Sequence, residues 1–280
     1  MIRALKALLP LLAIWLAFPV FADNIDKTVL ITGANRGIGI EFARQYADAG
    51  WNVIATCRNP DTATELNDLN QQFKNLQVRQ LDLTDHARID ELATELSGEP
   101  VDILLNNAAL LGDMQSQLFG NIDYDQFAQI LAVNTIGTMK MSEAFAGNVK
   151  LSTTRKIVTL GSAAGSIGAI KGHPDLYAYR ASKAALHLLM KNLSIELADD
   201  GIIVGLINPG LVDTRGFADM IDGTKETPQE FAQIVALLKS GVLKLSTPED
   251  AVADMRVLVD ELGPEQSGKF LNADGTPLPW

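Results

Sequence analysis

The chain has 280 residues, 47% hydrophobic and 20% charged, a balance that excludes a disordered chain and suits one globular domain with a sizeable core. Its net charge of −11 opposes phosphate backbones and anionic membranes, and no basic stretch is dense enough to reverse that, so nucleic acid is excluded as a partner. Cys57 is the single cysteine, which rules out an intrachain disulfide, and His86, His173 and His187 lack metal-ligand spacing, so no metal site is expected.

The first predicted element is a leader. Arg3 and Lys6 precede an apolar run from Ala7 to Ala22 that closes on Val20-Phe21-Ala22, with Pro19 just upstream. Small residues at Val20 and Ala22 fit signal-peptidase cleavage after Ala22, which predicts residues 1–22 as a signal peptide and a secretory route. The alternative is an uncleaved membrane anchor, but a spanning helix wants about 20 apolar residues, and this run is shorter and carries Pro10 and Pro19. Membrane association follows only if the segment is retained.

From residue 23 onward, short apolar runs alternate with longer amphipathic ones. Strands are predicted at Thr28–Thr32, Asn52–Thr56, Leu76–Leu81, Val101–Asn106, Lys156–Leu160, Ile202–Asn208 and Lys269–Leu271. Helices are predicted near 38–49, 62–73, 85–97, 124–148, 177–198, 228–240 and 247–261. The last opens on Thr247-Pro248-Glu249-Asp250, a capping threonine, a proline at the first helical position and acids in the first turn. Continuously apolar strands need a sheet covered on both faces, and repeated strand–helix alternation predicts an α/β fold with a single doubly wound parallel sheet. No repeat, low-complexity tract or linker divides residues 23–280.

The first strand runs into Thr32-Gly33-Ala34-Asn35-Arg36-Gly37-Ile38-Gly39. Glycines in this position let the chain turn tightly and bring a helix N-terminus against a pyrophosphate. No Gly-Lys-Ser/Thr follows, so this is not a Walker loop. Dinucleotide sites for NAD place an acid at the end of the second strand, where this chain has Ala55-Thr56-Cys57-Arg58-Asn59. Arg58 and Arg36 suit the extra 2′-phosphate of NADP, which is preferred over NAD, although each taken alone also reads as a solvated surface arginine. Asp82, after the third strand, is placed to accept from an adenine amine or simply to cap its loop.

Chemistry gathers further along the chain. Tyr179 and Lys183 lie four residues apart and share a helical face. A free tyrosine has a pKa near about 10, and a neighbouring ammonium stabilises the phenolate, which makes Tyr179 a candidate general acid/base. Tyr177 is the rival, but its i+4 partner is Ala181. Ser162 ends the fifth strand, where the carboxyl ends of strands face a ligand crevice, with Ser166 a weaker rival deeper in the loop. Asn134 sits inside a predicted helix, where asparagine is ill suited, and that suggests a role such as holding a water.

With these residues in place, positions 27–280 resemble the short-chain dehydrogenase/reductase family. The resemblance is carried by TGANRGIG at 32–39, NNAA at 106–109, Asn134, Ser162, YRASK at 179–183 and PGLVDT at 209–214. The tail SGKFLNADGTPLPW at 267–280 further resembles the C-factor and sniffer-like carbonyl reductase group. The resemblance implies that Tyr179 is the general acid/base, tuned by Lys183, which also bonds the nicotinamide ribose. It implies that Ser162 orients the carbonyl and that Asn134 keeps a water in a proton relay. Gly33, Asn35, Arg36, Gly37, Ile38 and Gly39 would line the phosphates, and Arg58 would meet the 2′-phosphate. Asp82 and Leu83 would meet the adenine, Asn106 and Ala108 the adenosine ribose, and Pro209, Val212 and Thr214 the nicotinamide. Ala109 departs from the family, which commonly has glycine there, and its methyl is expected to crowd the cofactor slightly.

The implied activity is NADP(H)-dependent hydride transfer between the nicotinamide and a carbonyl or alcohol of a small, partly apolar substrate. In residues 215–240, Phe217, Met220 and Ile221 suggest an apolar lid, although core packing accounts for them equally well; Leu111 and Met114 suggest the opposite wall. Homodimerisation through the 124–148 and 177–198 helices is a family-level expectation. The rival of another class is an exported, non-catalytic nucleotide-binding or signalling protein on the same fold, which loss of any one of Asn134, Ser162, Tyr179 or Lys183 would have favoured. An epimerase or dehydratase of the same superfamily is a further rival, although such chains are usually longer.

Overall fold

The computed structural model describes residues 27–170 and 175–280. The predicted leader lies outside the described residues, as does His173.

Two elements alternate through the first half: β1 (Thr28–Ile31), α1 (Gly37–Asp48), β2 (Asn52–Cys57), α2 (Thr64–Gln72), β3 (Leu76–Gln80), α3 (His86–Glu95) and β4 (Ile103–Asn106). Next come α4 (Tyr124–Leu131), a π-helical turn over Ala132–Gly137, α5 (Thr138–Leu151), β5 (Lys156–Leu160), α6 (Tyr177–Glu196) and β6 (Ile203–Asn208). The chain closes with β7 (Leu211–Val212), α7 (Phe217–Asp222), α8 (Ala232–Lys239), β8 (Leu245–Ser246), α9 (Pro248–Glu261) and β9 (Phe270–Asn272).

Seven strands form one parallel sheet in the order β3-β2-β1-β4-β5-β6-β9. The order reverses between β1 and β4, which opens a crevice at the carboxyl ends of those strands. This is the doubly wound fold that the alternating pattern predicts. The inner strands are largely apolar and buried because both faces are covered, whereas β3 at the sheet edge carries the exposed Gln77 and Gln80. Phe42, Tyr46 and Ala43 of α1 pack with Val252, Met255 and Val259 of α9 on one face. Phe145 of α5, Leu186 and Met190 of α6 and Leu92 of α3 cover the other.

Local signals fix several helix starts. The Thr247 side chain accepts from Asp250 N at 3.1 Å, with Pro248 at the first helical position, as the sequence predicts for α9. Asp85 caps α3 through Arg88 N, and Asp123 caps α4 through Asp125 N and Gln126 N.

Three features depart from the sequence expectation. The helix predicted over 124–148 is interrupted by the π turn at Asn134, whose side chain bonds away from the helix rather than to solvent. The helix predicted over 228–240 contracts to α8, preceded by a short 3₁₀ turn at Gln229–Phe231. The pair β7–β8 and the short α7 were not predicted, because two- and six-residue elements carry too little periodicity to be read.

Candidate active site

The glycine loop leaves β1 at the crevice. Gly33 lies at φ +65°, a left-handed conformation that favours glycine. At Gly39 a Cβ would stand 2.2 Å from the Gly33 carbonyl oxygen and 2.5 Å from Asn107 Nδ2, so only glycine lets α1 begin this close to the loop. Asn107 holds the loop from the other side, its Nδ2 donating to Thr32 O at 2.8 Å and Gly33 O at 3.0 Å. Thr32 Oγ1 in turn accepts from Asn107 N and Ala108 N, both at 3.0 Å. The sequence reading singled out Asn106 and Ala108 from this motif and missed Asn107 and Thr32, whose roles depend on a contact 75 residues apart.

Helix α1 begins with no side-chain cap and no acid in its first turn. Its first N–H groups and its positive dipole end therefore face the crevice, a cradle for an anion such as a pyrophosphate. Arg36 and Arg58 are both exposed at its rim, and neither is among the described residues' ion pairs. No acid follows β2. This donor set fits a dinucleotide with an added phosphate on its adenosine ribose, with Asn35, Gly37 and Ile38 completing the loop.

The remaining predicted contacts fall around the same crevice. Asp82 Oδ1 accepts from Thr84 N at 2.9 Å and Thr84 Oγ1 at 2.8 Å, so the carboxylate does cap its loop. Its other oxygen takes no part in that turn. Leu83 is buried, and its carbonyl sits against Gly137 of the π turn. Asn106 is buried, its Nδ2 donates to Ser142 Oγ at 3.0 Å, and its Oδ1 has no partner among the described residues. Val212 is likewise buried by its side chain, whereas Thr214 is exposed and Pro209 half-buried on the segment after β6. Ala109 is exposed with its backbone outside the left-handed region, so the alanine in place of glycine introduces no backbone strain.

Ser162, Tyr179 and Lys183 come together beyond β5. Ser162 ends the strand in extended conformation, and its Oγ accepts from Ala164 N at 3.2 Å in a 3₁₀ turn. The rival Ser166 is fully buried and its Oγ donates to Pro279 O at 2.6 Å, so it belongs to the packing of the C-terminal tail. The rival Tyr177 points outward, its ring 6.3 Å from that of the exposed Phe119.

The electrostatics differ from the expectation that Lys183 lowers the tyrosine pKa. Burial pushes the Tyr179 phenol up, while the Ser162 hydroxyl and the charge of Arg215 pull against that rise. Lys183 Nζ stands 5.8 Å from the Tyr179 ring centroid and donates to Leu160 O at 2.9 Å. With no acid beside it, burial lowers the Lys183 pKa to about 8. Arg215 was not picked out from the sequence, because only the folded segment after β7 brings its charge toward the tyrosine.

Asn134 is fully buried, and its side chain bonds three protein groups. Its Oδ1 accepts from Leu110 N at 2.7 Å, and its Nδ2 donates to Leu110 O at 2.9 Å and to Ser182 Oγ at 3.0 Å. Ser182 Oγ donates to Tyr179 O at 2.8 Å, so Asn134 braces the helix turn that carries the tyrosine.

The apolar lid is not seen. Phe217 and Met220 are buried with Phe231, Val235 and Leu238 in a small separate core, and Ile221 and Met114 pack against it. These side chains hold α7 and α8 together instead of facing a substrate. Arg215 stacks over Phe231 at 5.6 Å on the same core.

A doubly wound parallel sheet with a glycine loop at its switch point, and a serine, tyrosine and lysine beyond β5, defines a dinucleotide-dependent oxidoreductase. Residues 27–224 match the short chain dehydrogenase family, and the chain belongs to it. It is 32% identical over 256 residues to 1-hydroxy-2-glutathionyl-2-methyl-3-butene dehydrogenase of Rhodococcus sp. (strain AD45), covering 91% of this chain and all of the relative. The NADPH-bound carbonyl reductase from chicken fatty liver superposes with a TM-score of 0.75 at 29% identity, over 91% of this chain and 99% of that one. The carbonyl reductase Sniffer of D. melanogaster shares the fold with a TM-score of 0.75 at 24% identity, over 91% of this chain and 99% of that one.

Proposed function

We propose that the protein is an NADP(H)-dependent carbonyl reductase acting on small, partly apolar aldehydes or ketones. The observation that carries this is the convergence of Ser162, Tyr179 and Lys183 beside an uncapped glycine-loop helix flanked by two exposed arginines that make no ion pair among the described residues. The similarity to a carbonyl reductase that binds NADPH supports it.

NADPH, when bound, supplies the hydride that goes to the carbonyl carbon. Arg58 and Arg36 would hold the 2′-phosphate, and Gly33, Asn35, Gly37, Ile38 and Gly39 would line the pyrophosphate. Asp82 and Leu83 would border the adenine, Asn106 and Ala108 the ribose, and Pro209, Val212 and Thr214 the nicotinamide. The Ser162 hydroxyl orients the carbonyl oxygen, and the Tyr179 hydroxyl donates its proton to that oxygen as the carbon is reduced. Lys183 places its remaining N–H donors toward the nicotinamide ribose, and Asn134 braces the turn that carries the tyrosine. Oxidation of an alcohol uses the same groups in reverse.

The test is purified protein with NADPH and a panel of aldehydes and ketones, followed by nicotinamide absorbance. Wild type consumes NADPH, and Tyr179→Phe retains cofactor binding with turnover lost. A phenylalanine variant that reduces carbonyls at the normal rate removes the assignment. The non-catalytic signalling reading is not favoured, since no member of the serine–tyrosine–lysine set is missing or misplaced.

We further propose export after cleavage near Ala22. β1 starts at the edge where all strands of the parallel sheet begin, whereas the glycine loop and Ser162 follow strand carboxyl ends. The site therefore lies at the opposite edge of the sheet from the start of β1. N-terminal sequencing of the mature protein together with cell fractionation tests this.

A further inference from the structure

We propose that Gln117 is a positioning residue for Tyr179, tying the substrate-side loop after β4 to the backbone amide of the tyrosine. This rests on the reductase reading above and adds a residue to it.

Tyr179 is the third residue of α6, so its N–H is one of the four that a helix cannot satisfy internally. A serine, threonine or aspartate before the helix would normally take such a donor. Leu176 occupies that place, in the left-handed region at φ +50°, and provides no cap. The acceptor comes instead from 62 residues away, where Gln117 Oε1 takes Tyr179 N–H at 2.9 Å.

The rest of that amide is also in use. Gln117 Nε2 donates to Leu111 O at 2.7 Å and to Asp113 O at 3.1 Å, and the residue is fully buried. Turning the amide over would set an NH₂ against the Tyr179 N–H and an oxygen against two carbonyls, so its orientation is fixed. The loop it closes is held at two further points. Asn134 clamps Leu110 through both its N–H and its carbonyl. Gln126 Oε1 accepts from Asp113 N at 2.7 Å and its Nε2 donates to Asp113 O at 3.1 Å.

Tyr179 is thereby fixed at both backbone polar groups: at N by Gln117, and at O by Ser182 Oγ, which Asn134 also contacts. Both connections lead into Leu110–Gln117, the segment that follows β4 at the crevice. The geometry makes this loop and the first turn of α6 one hydrogen-bonded unit, with Gln117 as its latch. Without the latch, the turn that carries the phenol loses the cap on Tyr179 N–H, and the hydroxyl loses its fixed distance to the carbonyl oxygen it must protonate.

The test uses the full-length protein, NADPH and 4-nitrobenzaldehyde as probe, with Gln117→Met and Gln117→Glu. Methionine keeps the length and removes all three hydrogen bonds, whereas glutamate in its protonated form, which burial favours, keeps the acceptor facing Tyr179 N–H and one O–H donor facing the Leu111 carbonyl. For Gln117→Met, kcat is expected to fall roughly 10- to 100-fold, with the Kd for NADPH within about twofold of wild type. The solvent deuterium isotope effect on kcat should rise, because proton transfer from Tyr179 becomes slower relative to the other steps. Exchange of the Tyr179 amide, followed by hydrogen–deuterium exchange of the 177–183 peptide, should accelerate about tenfold or more. Gln117→Glu should recover the amide protection and much of kcat, and it carries the test if the methionine variant does not fold.

Wild-type kcat and protection in Gln117→Met overturn the proposal. So does a kcat loss matched by weaker NADPH binding with an unchanged isotope effect, since that is a general structural defect. Should wild type itself reduce no carbonyl, the reductase reading falls and takes the catalytic role of Gln117 with it; the exchange rate still decides separately whether Gln117 holds Tyr179.

Discussion

The backbone N–H of Ser162 donates to Nε2 of His187 at 3.3 Å, joining the serine that faces the crevice to a buried imidazole on α6. The ring of His187 lies 4.3 Å from Phe270 and 6.5 Å from Trp280, under the C-terminal tail. Burial first, and then the charge of Lys183, push its pKa down to about 4. As an acceptor, Nε2 must be unprotonated, so this bond exists only with neutral histidine.

A stability prediction follows from that pairing. The unfolded histidine takes up its proton near about pH 6.5, the folded one only near about 4. Between these values the unfolded state binds more protons, so stability falls as pH drops through the window, by on the order of 3 kcal/mol. Urea midpoints measured from pH 7 to 4 should show the loss, and His187→Gln, which keeps an acceptor but does not titrate, should flatten it. An equally steep curve in the glutamine variant would place the acid sensitivity elsewhere.

Arg215 sets a prediction for rate against pH. Its positive charge favours the phenolate of Tyr179 and so opposes the upward push of burial. Reduction needs the protonated phenol, and the rate declines as pH rises through its pKa. Arg215→Leu should raise that pKa and move the alkaline limb of kcat to higher pH. A downward move, or none, contradicts the assignment of Arg215 to the electrostatics of the site.

The cofactor preference rests on Arg58, exposed directly after β2 at the place where NAD sites carry an acid. Arg58→Glu removes a charge-assisted contact to the 2′-phosphate and adds a repulsive one. The KM for NADPH should rise roughly 10- to 100-fold, while that for NADH changes little. Parallel losses for both cofactors would show that Arg58 does not read the phosphate.

Two glycines should respond in opposite directions. A Cβ at Gly39 would meet the Gly33 carbonyl oxygen at 2.2 Å, so Gly39→Ala must displace the phosphate loop, at a cost of about 1–3 kcal/mol and with weakened NADPH binding. Gly147 lies exposed within α5 with nothing within 4 Å of an added Cβ. Gly147→Ala should stabilise by about 0.5–1 kcal/mol with unchanged kinetics, because alanine loses less backbone freedom in a helix. Thermal unfolding of the two variants checks both.

Much of the fold was legible because its signals are local. Most of the seven main-sheet strands are short apolar runs, and Thr247-Pro248 announces α9 through the geometry of its own first turn. Ser162, Tyr179 and Lys183 were legible for a similar reason: the serine ends a readable strand, and four-residue spacing puts the other two on one helical face. Phe217 and Met220 were open to two readings, because an apolar side chain in a helical segment suits a lid or a core equally until its neighbours are known. The third core of Phe231, Val235 and Leu238 decides for the core.

The sequence by itself determined the layered α/β architecture, the family motifs and the absence of an acid after β2, each set by residues close together along the chain. Only the tertiary structure decided how the site is held. Gln117 reaches Tyr179 across 62 residues and Asn134 reaches Ser182 across 48, while Lys183 turns to the Leu160 carbonyl and Arg215 brings its charge toward the phenol. The physical reason is that burial and long-range hydrogen bonding fix a side chain's partners and its charge state, and neither follows from spacing along the chain.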